Sequence, residues 1–444
     1  MKRLGQQIDG TSIAVFRIGF GLIMLWELIY FLRMDFVKVF LIDPKVQFSY
    51  EFLSFLKPLP KPILDILIIV LIVCCLLIII GRFYRKAIII FCIGFSYLFF
   101  LDKAYYNNHL YLVCLLSFLL ILIPADNKLS FSKKRSNQKK PIQYWHFLIL
   151  RIQLALVYFF GGVAKLNYDW LISNQPVRAM LENRAKQSFL GDFLTSDFTL
   201  YFFTYGGLVF DLLIPFLLFI PKTRIPAVLC ALLFNIMNAW LFNDINIFPY
   251  FMMLSLVLFL EPNKVAKFIN LKLYGKRAVA SVSSTHINVQ KPVLILISIY
   301  FLIQGLLPFR HLLYDGNVDW TGAGQRFAWR MKIQHRTLEK MEFKVLDMKK
   351  KVIIPVEVRN YGLNQDQINS MAFDPVSAVQ FAKFLKRHCR ENKGIDDVQV
   401  QSEIIVSFNG RKQQQIFDKS VDLSSLGIKP SQLNQYIRKL DKAK

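Results

Sequence analysis

Residues 62–81 read PILDILIIVLIVCCLLIIIG, and Asp65 is the one charged residue among them. An α-helix rises about 1.5 Å per residue, so about 20 apolar residues are enough to cross the roughly 30 Å hydrocarbon core of a bilayer. Apolar runs of this length are typical of membrane-spanning helices. The stretch therefore predicts a transmembrane helix, and it indicates the fold class of the chain.

Comparable apolar runs recur along the first 310 residues. We predict spans at residues 11–31, 62–81, 87–101, 109–124, 145–164, 199–220, 225–242, 245–260 and 291–308. The third, fourth and eighth are short, which a bundle interior or a re-entrant segment tolerates. The predicted fold is a polytopic α-helical membrane protein of about nine transmembrane helices, with a bundle domain at residues 1–308 and a small C-terminal α+β domain at residues 309–444.

The composition agrees with a chain that is largely covered by lipid. Hydrophobic residues make up 54% and charged residues only 19% of the 444 residues, which is more apolar surface than one soluble core can hide. The formal net charge of +25 lies largely in short loops between the apolar runs, where it attracts anionic headgroups. We therefore predict the lipid bilayer, and not nucleic acid, as the partner of this basic chain.

The loops between the predicted spans alternate in charge. The loop after the second span contains Arg82, Arg85 and Lys86 without an acid, and the loop after the fourth has six Lys or Arg residues between positions 128 and 140. Odd-numbered loops carry few or mixed charges. The positive-inside rule then predicts a cytoplasmic N-terminus and a non-cytoplasmic C-terminal domain. We expect residues 130–140 to be a flexible cytoplasmic linker.

Residues 309–444 lack membrane-length runs and alternate in polarity. Strands are predicted at Phe343–Val358 and Val398–Phe408, and Asn409-Gly410 after the second strand predicts a hairpin turn. Apolar residues at helical spacing predict one amphipathic helix from Asp374 to Asn392. Together these elements indicate a small α+β domain.

Motifs of soluble enzymes and metal sites are absent from the sequence. The six cysteines form no CxxC pair or regular framework, so neither a metal site nor an obligatory disulfide is expected. Phosphate-binding loops, dinucleotide-binding glycine motifs, zinc-protease motifs and nucleophile elbows do not occur. The N-terminus also lacks the pattern of a cleavable signal peptide.

Polar residues inside the predicted spans are few. An ionisable side chain near the centre of a membrane helix costs roughly 2.5 to 3.5 kcal/mol on insertion scales, so it needs a partner or a function. The candidates are Arg17, Glu27, Asp65, His109, Arg151, Lys165, Asp211, Asn235 and Asn238.

Three of these residues converge at one membrane depth in the predicted topology. His109 begins a span that enters from the non-cytoplasmic face, Lys165 ends a span that exits there, and Asn238 lies about one turn from the same face. Desolvation disfavours an ammonium ion, so a half-buried lysine can act as a general base. His109 could hold a proton or an oxyanion, and Asn238 could orient either group. The alternative is that His109 and Lys165 are helix-end residues that extend to the interface.

The remaining charges are expected to be structural. The topology places Arg17 and Arg151 toward the cytoplasmic half of the bundle and Asp211 near mid-membrane. We predict that these three side chains form structural ion pairs.

Five short motifs follow one another along the whole chain: LDK at 101–103 with NNHLYL at 107–112, VYFFGGVAKLNYDW at 157–170, FNIMNAWLF at 234–242, WTGAGQRFAWRM at 320–331, and QIFD at 415–418. In this order and membrane context the chain resembles the vitamin K-dependent γ-glutamyl carboxylase family and its bacterial relatives, which carry an HTTM domain. Each motif alone is weak, and their shared order carries the resemblance. It favours a compact bacterial-type member in the inner membrane.

The resemblance implies an enzyme in which a lysine deprotonates vitamin K hydroquinone or menaquinol, which then reacts with oxygen. The strong base so formed removes the γ-proton of a glutamate in a protein or peptide, and the carbanion captures carbon dioxide. Lys165 matches the family's basic lysine and His109 its active-site histidine, with Asn238 as the orienting residue. No metal is expected. Residues of the shared motifs expected to contact quinone or substrate are Asn108, Asn235, Tyr158, Trp170 and Trp320.

Two positions depart from the pattern of the animal enzymes. Asn235 stands where they have a histidine, and Ala164 where they have a second lysine. An amide cannot act as a base, so quinol epoxidation without carboxylation is an alternative function. A non-catalytic membrane module that binds a partner or a lipid is a third hypothesis, from a different functional class.

Overall fold

The computed structural model describes residues 2–131, 140–242, 246–275 and 287–442. Within these ranges, apolar helices occupy the first 313 residues, and a sheet with flanking helices follows. The linker predicted at residues 130–140 lies mostly outside the described residues, as does the start of the eighth predicted span at residue 245.

The helices before residue 313 form the bundle. In chain order they are α1 (Thr11–Arg33), α2 (Lys61–Ile80), α3 (Tyr84–Phe100), α4 (Asn108–Leu122), α5 (Tyr144–Ala164), α6 (Tyr168–Leu171), α7 (Val177–Ala185), α8 (Gly191–Thr195), α9 (Asp197–Tyr201), α10 (Gly207–Phe219), α11 (Arg224–Leu241), α12 (Phe248–Ser255), α13 (Pro262–Tyr274) and α14 (Lys291–Leu306). Every predicted span overlaps at least one of these helices. The sixth span corresponds to α9 and α10 joined by a π-helical turn, Phe202–Gly206.

Among the described residues, six helices are long and apolar enough to cross a membrane. They are α1, α2, α5, the α9–α10 unit (Asp197–Phe219), α11, and α14 together with the 3-10 turn after it (Lys291–Leu313). Helices α4 and α12 are apolar but shorter, and α3 has 17 residues. The helical bundle is therefore confirmed, whereas nine full crossings stay a prediction.

Close packing of α5 against α10 depends on a glycine. A Cβ atom on Gly162 of α5 would lie 2.8 Å from Cδ2 and 3.0 Å from the backbone nitrogen of Leu212 in α10. Because no side chain separates the two backbones here, α10 approaches the C-terminal end of α5 closely. This contact brings residues of α10 beside Lys165, the residue that caps α5.

A small α+β unit follows the bundle. Its elements are α15 (Val318–Thr321), β1 (Arg336–Asp347), β2 (Val352–Val356), α16 (Gln365–Phe373), α17 (Pro375–Lys393), β3 (Val398–Phe408), β4 (Gln414–Gln415) and α18 (Pro430–Leu433). In the described chain the strands form one antiparallel sheet in the order β2-β1-β3-β4. Helix α17 covers one face of this sheet, where the Phe343 and Phe381 rings meet edge to face with centroids 5.0 Å apart. The predicted α+β fold is confirmed here.

The prediction of one strand over Phe343–Val358 is wrong in its detail. The structure has two strands, β1 and β2, joined by a turn at residues 348–351. Asp347 Oδ1 accepts hydrogen bonds from the backbone nitrogens of Lys349 and Lys350, which stabilises the turn. The predicted hairpin turn is found: Asn409 and Gly410 have φ of 46° and 75°, and the short strand β4 follows.

The α+β unit packs directly on the loops at one end of the bundle, which we call the sheet side. Phe48, from the loop after α1, is fully buried in the core of the α+β unit. Gln367 Nε2 in α16 donates to Asp102 Oδ2, after α3, at 2.9 Å. Arg411 forms a bidentate ion pair with Asp169, with N···O distances of 2.9 and 2.6 Å. These contacts position the α+β unit over the end of α5.

Candidate active site

A cavity of about 460 Å³ lies where α4, α5, α10 and α11 meet residues 330–332 of the α+β unit. Most of its wall is apolar or aromatic, and it reaches the outer apolar surface at Phe202 and Leu233, which are more than half exposed. The sequence-predicted residues that line it are His109, Lys165, Asn238, Asn108, Asn235, Tyr158 and Trp170. Residues from three separate segments of the chain thus meet in one cavity.

Lys165 is the central cation of this cavity. It follows the last residue of α5, and its side chain is only 10% exposed. Its Nζ lies 2.5 Å from Oδ2 of Asp211 in α10. The close approach of α5 and α10 at Gly162 makes this contact possible, and a Cβ on Gly207 would lie 3.9 Å from Nζ, at ordinary van der Waals distance.

An indole ring forms the second contact of the ammonium group. The Trp170 ring centroid lies 4.9 Å from Lys165 Nζ, which is within the range of a cation–π interaction. The Asn167 side chain caps the short helix α6 that carries Trp170. Trp170 Nε1 donates to the carbonyl oxygen of Thr204 at 2.9 Å, an acceptor in the π-helical turn before α10. Lys165 is therefore held between a carboxylate and an indole.

His109 occupies the start of α4 and is 6% exposed. Its Nε2 atom is buried and has no hydrogen-bond partner within the described parts of the chain. Buried polar atoms in proteins nearly always have a partner. A ring nitrogen in this state on a cavity wall is suited to bind a polar group of a substrate.

The asparagine side chains that line the cavity differ in the number of hydrogen bonds that they form. Asn235 Nδ2 donates to Tyr158 OH at 3.1 Å and to the Ala231 carbonyl at 2.7 Å, so its amino group is fully occupied. Asn108 Oδ1 accepts from Tyr106 OH at 3.0 Å. Asn238, one turn after Asn235 in α11, is half-buried and lines the cavity.

Two groups of lining residues were missed at the sequence level. Asp211 was assigned to structural ion pairs with Arg17 and Arg151. The glycine pairs Gly161-Gly162 and Gly206-Gly207 in the two spans indicate close helix packing, and an acid in one of these spans indicates a polar group at that contact. The α+β unit also contributes Arg330, Met331 and Lys332. Arg330 and Met331 end the shared WTGAGQRFAWRM motif and Lys332 directly follows it, which was the available signal.

The predicted ion pairing of Arg17 and Arg151 with Asp211 is wrong. The Arg17 guanidinium binds the carbonyl oxygens of Ile79, Ala125, Lys128 and Leu129. Arg151 Nε donates to the Leu258 carbonyl at 2.7 Å. Backbone carbonyl oxygens carry partial negative charge, so a buried guanidinium can donate to them instead of to a carboxylate. This leaves Asp211 to pair with Lys165.

Trp320 does not line the cavity, contrary to its assignment as a quinone- or substrate-binding residue. It is 2% exposed within the core of the α+β unit. Its Nε1 donates to the Arg438 carbonyl at 2.7 Å, and the Arg336 guanidinium lies over its ring. A large indole with a satisfied N–H in a closed core stabilises the fold.

No group of three or more His, Cys, Asp or Glu side chains is close enough to hold a metal ion among the described residues.

Comparison with known families assigns both parts of the chain. The family described as HTTM domain matches residues 6–263, more than half of the chain. The family described as vitamin K-dependent gamma-carboxylase, lumenal domain, matches residues 289–443. No solved structure matches the chain. With the HTTM match over the helical bundle and the lumenal-domain match over the α+β unit, this chain is a membrane protein that belongs to the vitamin K-dependent gamma-carboxylase family.

Proposed function

We propose that this protein couples the oxygenation of vitamin K hydroquinone or menaquinol to the γ-carboxylation of a glutamate in a protein or peptide. The observation that carries the proposal is the placement of the Lys165–Asp211 pair and the unpartnered His109 ring in one mainly apolar cavity. Apolar walls with a few convergent polar groups suit a ring system whose oxygens must be oriented. A lipid-facing opening suits a quinol that arrives from the bilayer.

The overall reaction balances with four substrates. One hydroquinone, one O₂, one CO₂ and one glutamyl side chain give one quinone epoxide, one water, one γ-carboxyglutamate and one proton. One oxygen atom of O₂ ends in the epoxide and the other in water, while the γ-carbon exchanges a proton for a carboxylate. The quinol and O₂ supply the strong base that this proton removal requires.

The protein's own residues move and hold protons. Lys165 must be neutral to accept the quinol hydroxyl proton, and Asp211, 2.5 Å away, can hold the proton that the ammonium gives up. The pair then works as one proton acceptor in a site that excludes water. His109 Nε2 is placed to hydrogen-bond an oxygen of the quinol, and Asn238 orients the bound ring.

The carboxylate of the incoming glutamate needs a cation at the sheet side. Arg330 is already bound by Asp319 through two hydrogen bonds, of 2.9 and 2.7 Å. Lys332 lines the cavity with its Nζ 5.4 Å from the centre of the Phe242 ring. Both cations lie at the sheet-side end of the cavity, and their positive charge attracts an anionic side chain to that end.

The membrane arrangement is part of the proposal. Basic loops support a cytoplasmic N-terminus. The α+β unit, as a domain of residues 309–444 on a bundle of residues 1–308, then faces the opposite side, where secreted glutamyl substrates are found. For a bacterial-type chain this side is the outer face of the inner membrane.

The test is a carboxylation assay on purified protein in lipid nanodiscs. The protein is incubated with reduced menaquinone or vitamin K, labelled bicarbonate and a glutamyl peptide, and both labelled peptide and quinone epoxide are measured. Lys165→Arg keeps the charge but removes the usable base, and we expect it to abolish both products. Lys186→Arg, on the exposed end of the α7 segment, is the matched control and should match wild type. Absence of both products from wild-type protein would overturn the proposal.

One observation favours the second function, epoxidation without carboxylation. Asn235 stands at the position of a histidine in the animal enzymes, and its amino group is held by Tyr158 and Ala231. Epoxide without labelled peptide would select this function. A non-catalytic module is the remaining hypothesis, and under it Lys165→Ala leaves cellular function intact.

A further inference from the structure

A second cavity, of about 540 Å³, lies at the sheet side of the bundle, between α14 and the α+β unit. It shares no lining residue with the Lys165 cavity. Residues 327–332 lie between the two, because Phe327 lines the second cavity and Met331 lines the first. The second cavity is therefore a separate candidate site.

One half of this cavity is cationic. Lys103 and Arg326 share a single carboxylate, Asp374, with N···O distances of 2.9 and 2.8 Å. The Lys103 and Asp374 side chains are 5% and 3% exposed. Burial alone would raise the pKa of Asp374, but the adjacent Lys103 and Arg326 hold that pKa well below its usual range. The carboxylate is thus ionised and neutralises only one of the two cations.

A third cation increases the imbalance. Arg310 lines the same cavity, donates to the Arg326 carbonyl, and lies 5.5 Å from the centroid of the Phe327 ring. No carboxylate of the described chain lies within ion-pair distance of Arg310. Glu51 is the second acid of the lining, at an exposed position. Three cations therefore face two carboxylates.

The other half of the cavity is apolar and reaches the membrane-facing surface. Phe52, Phe100, Ile303 and Leu307 contribute to it. Phe52 is 64% and Ile303 52% exposed, so the wall continues onto an open apolar surface. This surface extends along α14, which is among the least buried candidate membrane spans. Lipid chains cover such a surface in a bilayer.

We propose that this cavity binds a lipid with a singly charged anionic headgroup. The phosphate lies against Arg310 and Lys103, and the acyl chains leave over Phe52 and Ile303. A phosphodiester neutralises the surplus positive charge of the buried cluster, and charge-assisted hydrogen bonds to guanidinium are among the stronger polar contacts in proteins. A zwitterionic headgroup fits less well, because it adds a cation to an already cationic site. A free anion also fits less well, because it leaves the apolar half of the cavity without a partner.

Binding is measured by isothermal titration calorimetry on the full chain in detergent, with dioctanoyl phosphatidylglycerol as the probe. We expect saturable binding at one site, weakened at least about tenfold by Arg310→Gln. Arg387→Gln removes the same charge from an exposed position of α17 and should change the affinity by less than about twofold. Dioctanoyl phosphatidylcholine, with the same chains, should bind at least about tenfold more weakly than phosphatidylglycerol.

Two further binding measurements show whether the anion in this cavity belongs to a lipid, a soluble phosphate or a peptide carboxylate. Glycerol 3-phosphate should bind far more weakly than the lipid, and equal affinity would assign the cavity to a soluble anion. Displacement of the lipid by a glutamyl peptide at equal concentration would assign it to a peptide carboxylate. Either result, or equal binding of phosphatidylcholine, overturns the proposal.

Arg310→Gln could lose binding only because it misfolds, so a second substitution that is expected to strengthen binding is also measured. Glu51→Gln removes an exposed acid from the cavity mouth, and we expect it to tighten phosphatidylglycerol binding about two- to threefold. An unchanged or weaker affinity in Glu51→Gln counts against the site. Because only binding is measured, the result is independent of whether the Lys165 cavity carries out carboxylation.

Discussion

Nζ of Lys165 lies 2.5 Å from Oδ2 of Asp211, and the two side chains are 10% and 9% exposed. A contact this short between opposite charges in a buried site makes each group dependent on the other, because removal of one leaves an uncompensated charge. The pair joins the end of α5 to the middle of α10, and it is the polar centre of the proposed active site.

The first prediction concerns Asp211→Asn. We expect a loss of roughly 100-fold or more in the rate of quinone epoxide formation, because the amide cannot take the proton from Lys165. The residual rate should rise with pH, since hydroxide must then remove that proton. The exposed Asp197→Asn is the control and should retain wild-type rates. A rate for Asp211→Asn that stays within threefold of wild type, with no change in pH profile, would show that Asp211 has no role in proton transfer.

The second prediction concerns the glycine contact between α5 and α10. Gly162→Ala places a Cβ 2.8 Å from a Leu212 side-chain atom and 3.0 Å from its backbone nitrogen, so the helices must move apart. We expect a destabilisation of about 1 to 3 kcal/mol and a loss of activity as Lys165 separates from Asp211.

The control for this experiment is Gly305→Ala in α14, where no atom lies within 4 Å of the added Cβ. It should leave stability unchanged or raise it by up to about 1 kcal/mol, because alanine favours the helix. The measurement is thermal unfolding in detergent. Equal effects of the two substitutions would contradict the packing explanation.

The third prediction concerns the ion pair that fastens the β3–β4 turn to the segment before Trp170. Asp169 and Arg411 are each 8% exposed and form two hydrogen bonds. Arg411→Gln should destabilise the protein by about 3 to 5 kcal/mol, because it leaves the buried Asp169 carboxylate without its cation, although the Asn409 amide still donates to it. Arg438→Gln removes an exposed pair with Asp418 and should cost less than about 1 kcal/mol.

A double-mutant cycle with Asp169→Asn separates the pairwise interaction from other effects of each substitution. We expect a coupling energy of at least about 1 kcal/mol between positions 169 and 411. Additive effects would mean that the two residues stabilise the interface independently of each other.

The fourth prediction concerns pH and Asp102. Burial raises the pKa of Asp102 to about 6, against the opposing effect of hydrogen bonds from Ala104 and Gln367. The folded protein therefore holds this proton more tightly than the unfolded chain, whose Asp pKa is about 3.9. Stability should fall as pH rises from about 4 to about 6, by up to about 3 kcal/mol from this group.

Asp102→Asn removes this titration. The difference in unfolding free energy between variant and wild type should shift in favour of the variant as pH rises through the same interval, and stay constant above about pH 7. Chemical unfolding at pH 4, 5, 6 and 7 measures it. A difference that does not change with pH would show that Asp102 is ionised throughout in the fold.

Much of the site followed from residue order alone. His109, Lys165 and Asn238 were expected at one membrane depth because each lies near the end of a predicted span on the same side, and the structure places all three on one cavity wall. Span ends can be predicted from run length and loop charge, which are local properties of the chain. Their functional roles remain predictions.

The assignments that were wrong depend on contacts between distant segments. Arg17 was given an acidic partner, but its two terminal nitrogens donate to backbone carbonyl oxygens. Trp320 was expected in the site, but it packs under Arg336 in another core. Composition and motif position indicate that a residue is important, but they do not say which surface it faces.

Local patterns in the sequence correctly predicted the membrane class, the approximate positions of the long apolar helices, the α+β class of the C-terminal part and the family. Apolar run length, charge asymmetry and alternation act over a few residues at a time, and lipid and water impose them directly. The packing of distant segments was needed to show that Asp211, 46 residues after Lys165, is its partner, and that a second, cationic cavity is lined by Phe327. Both depend on how closely helices and loops approach one another, and at α5 and α10 that distance is set by the missing side chain of Gly162.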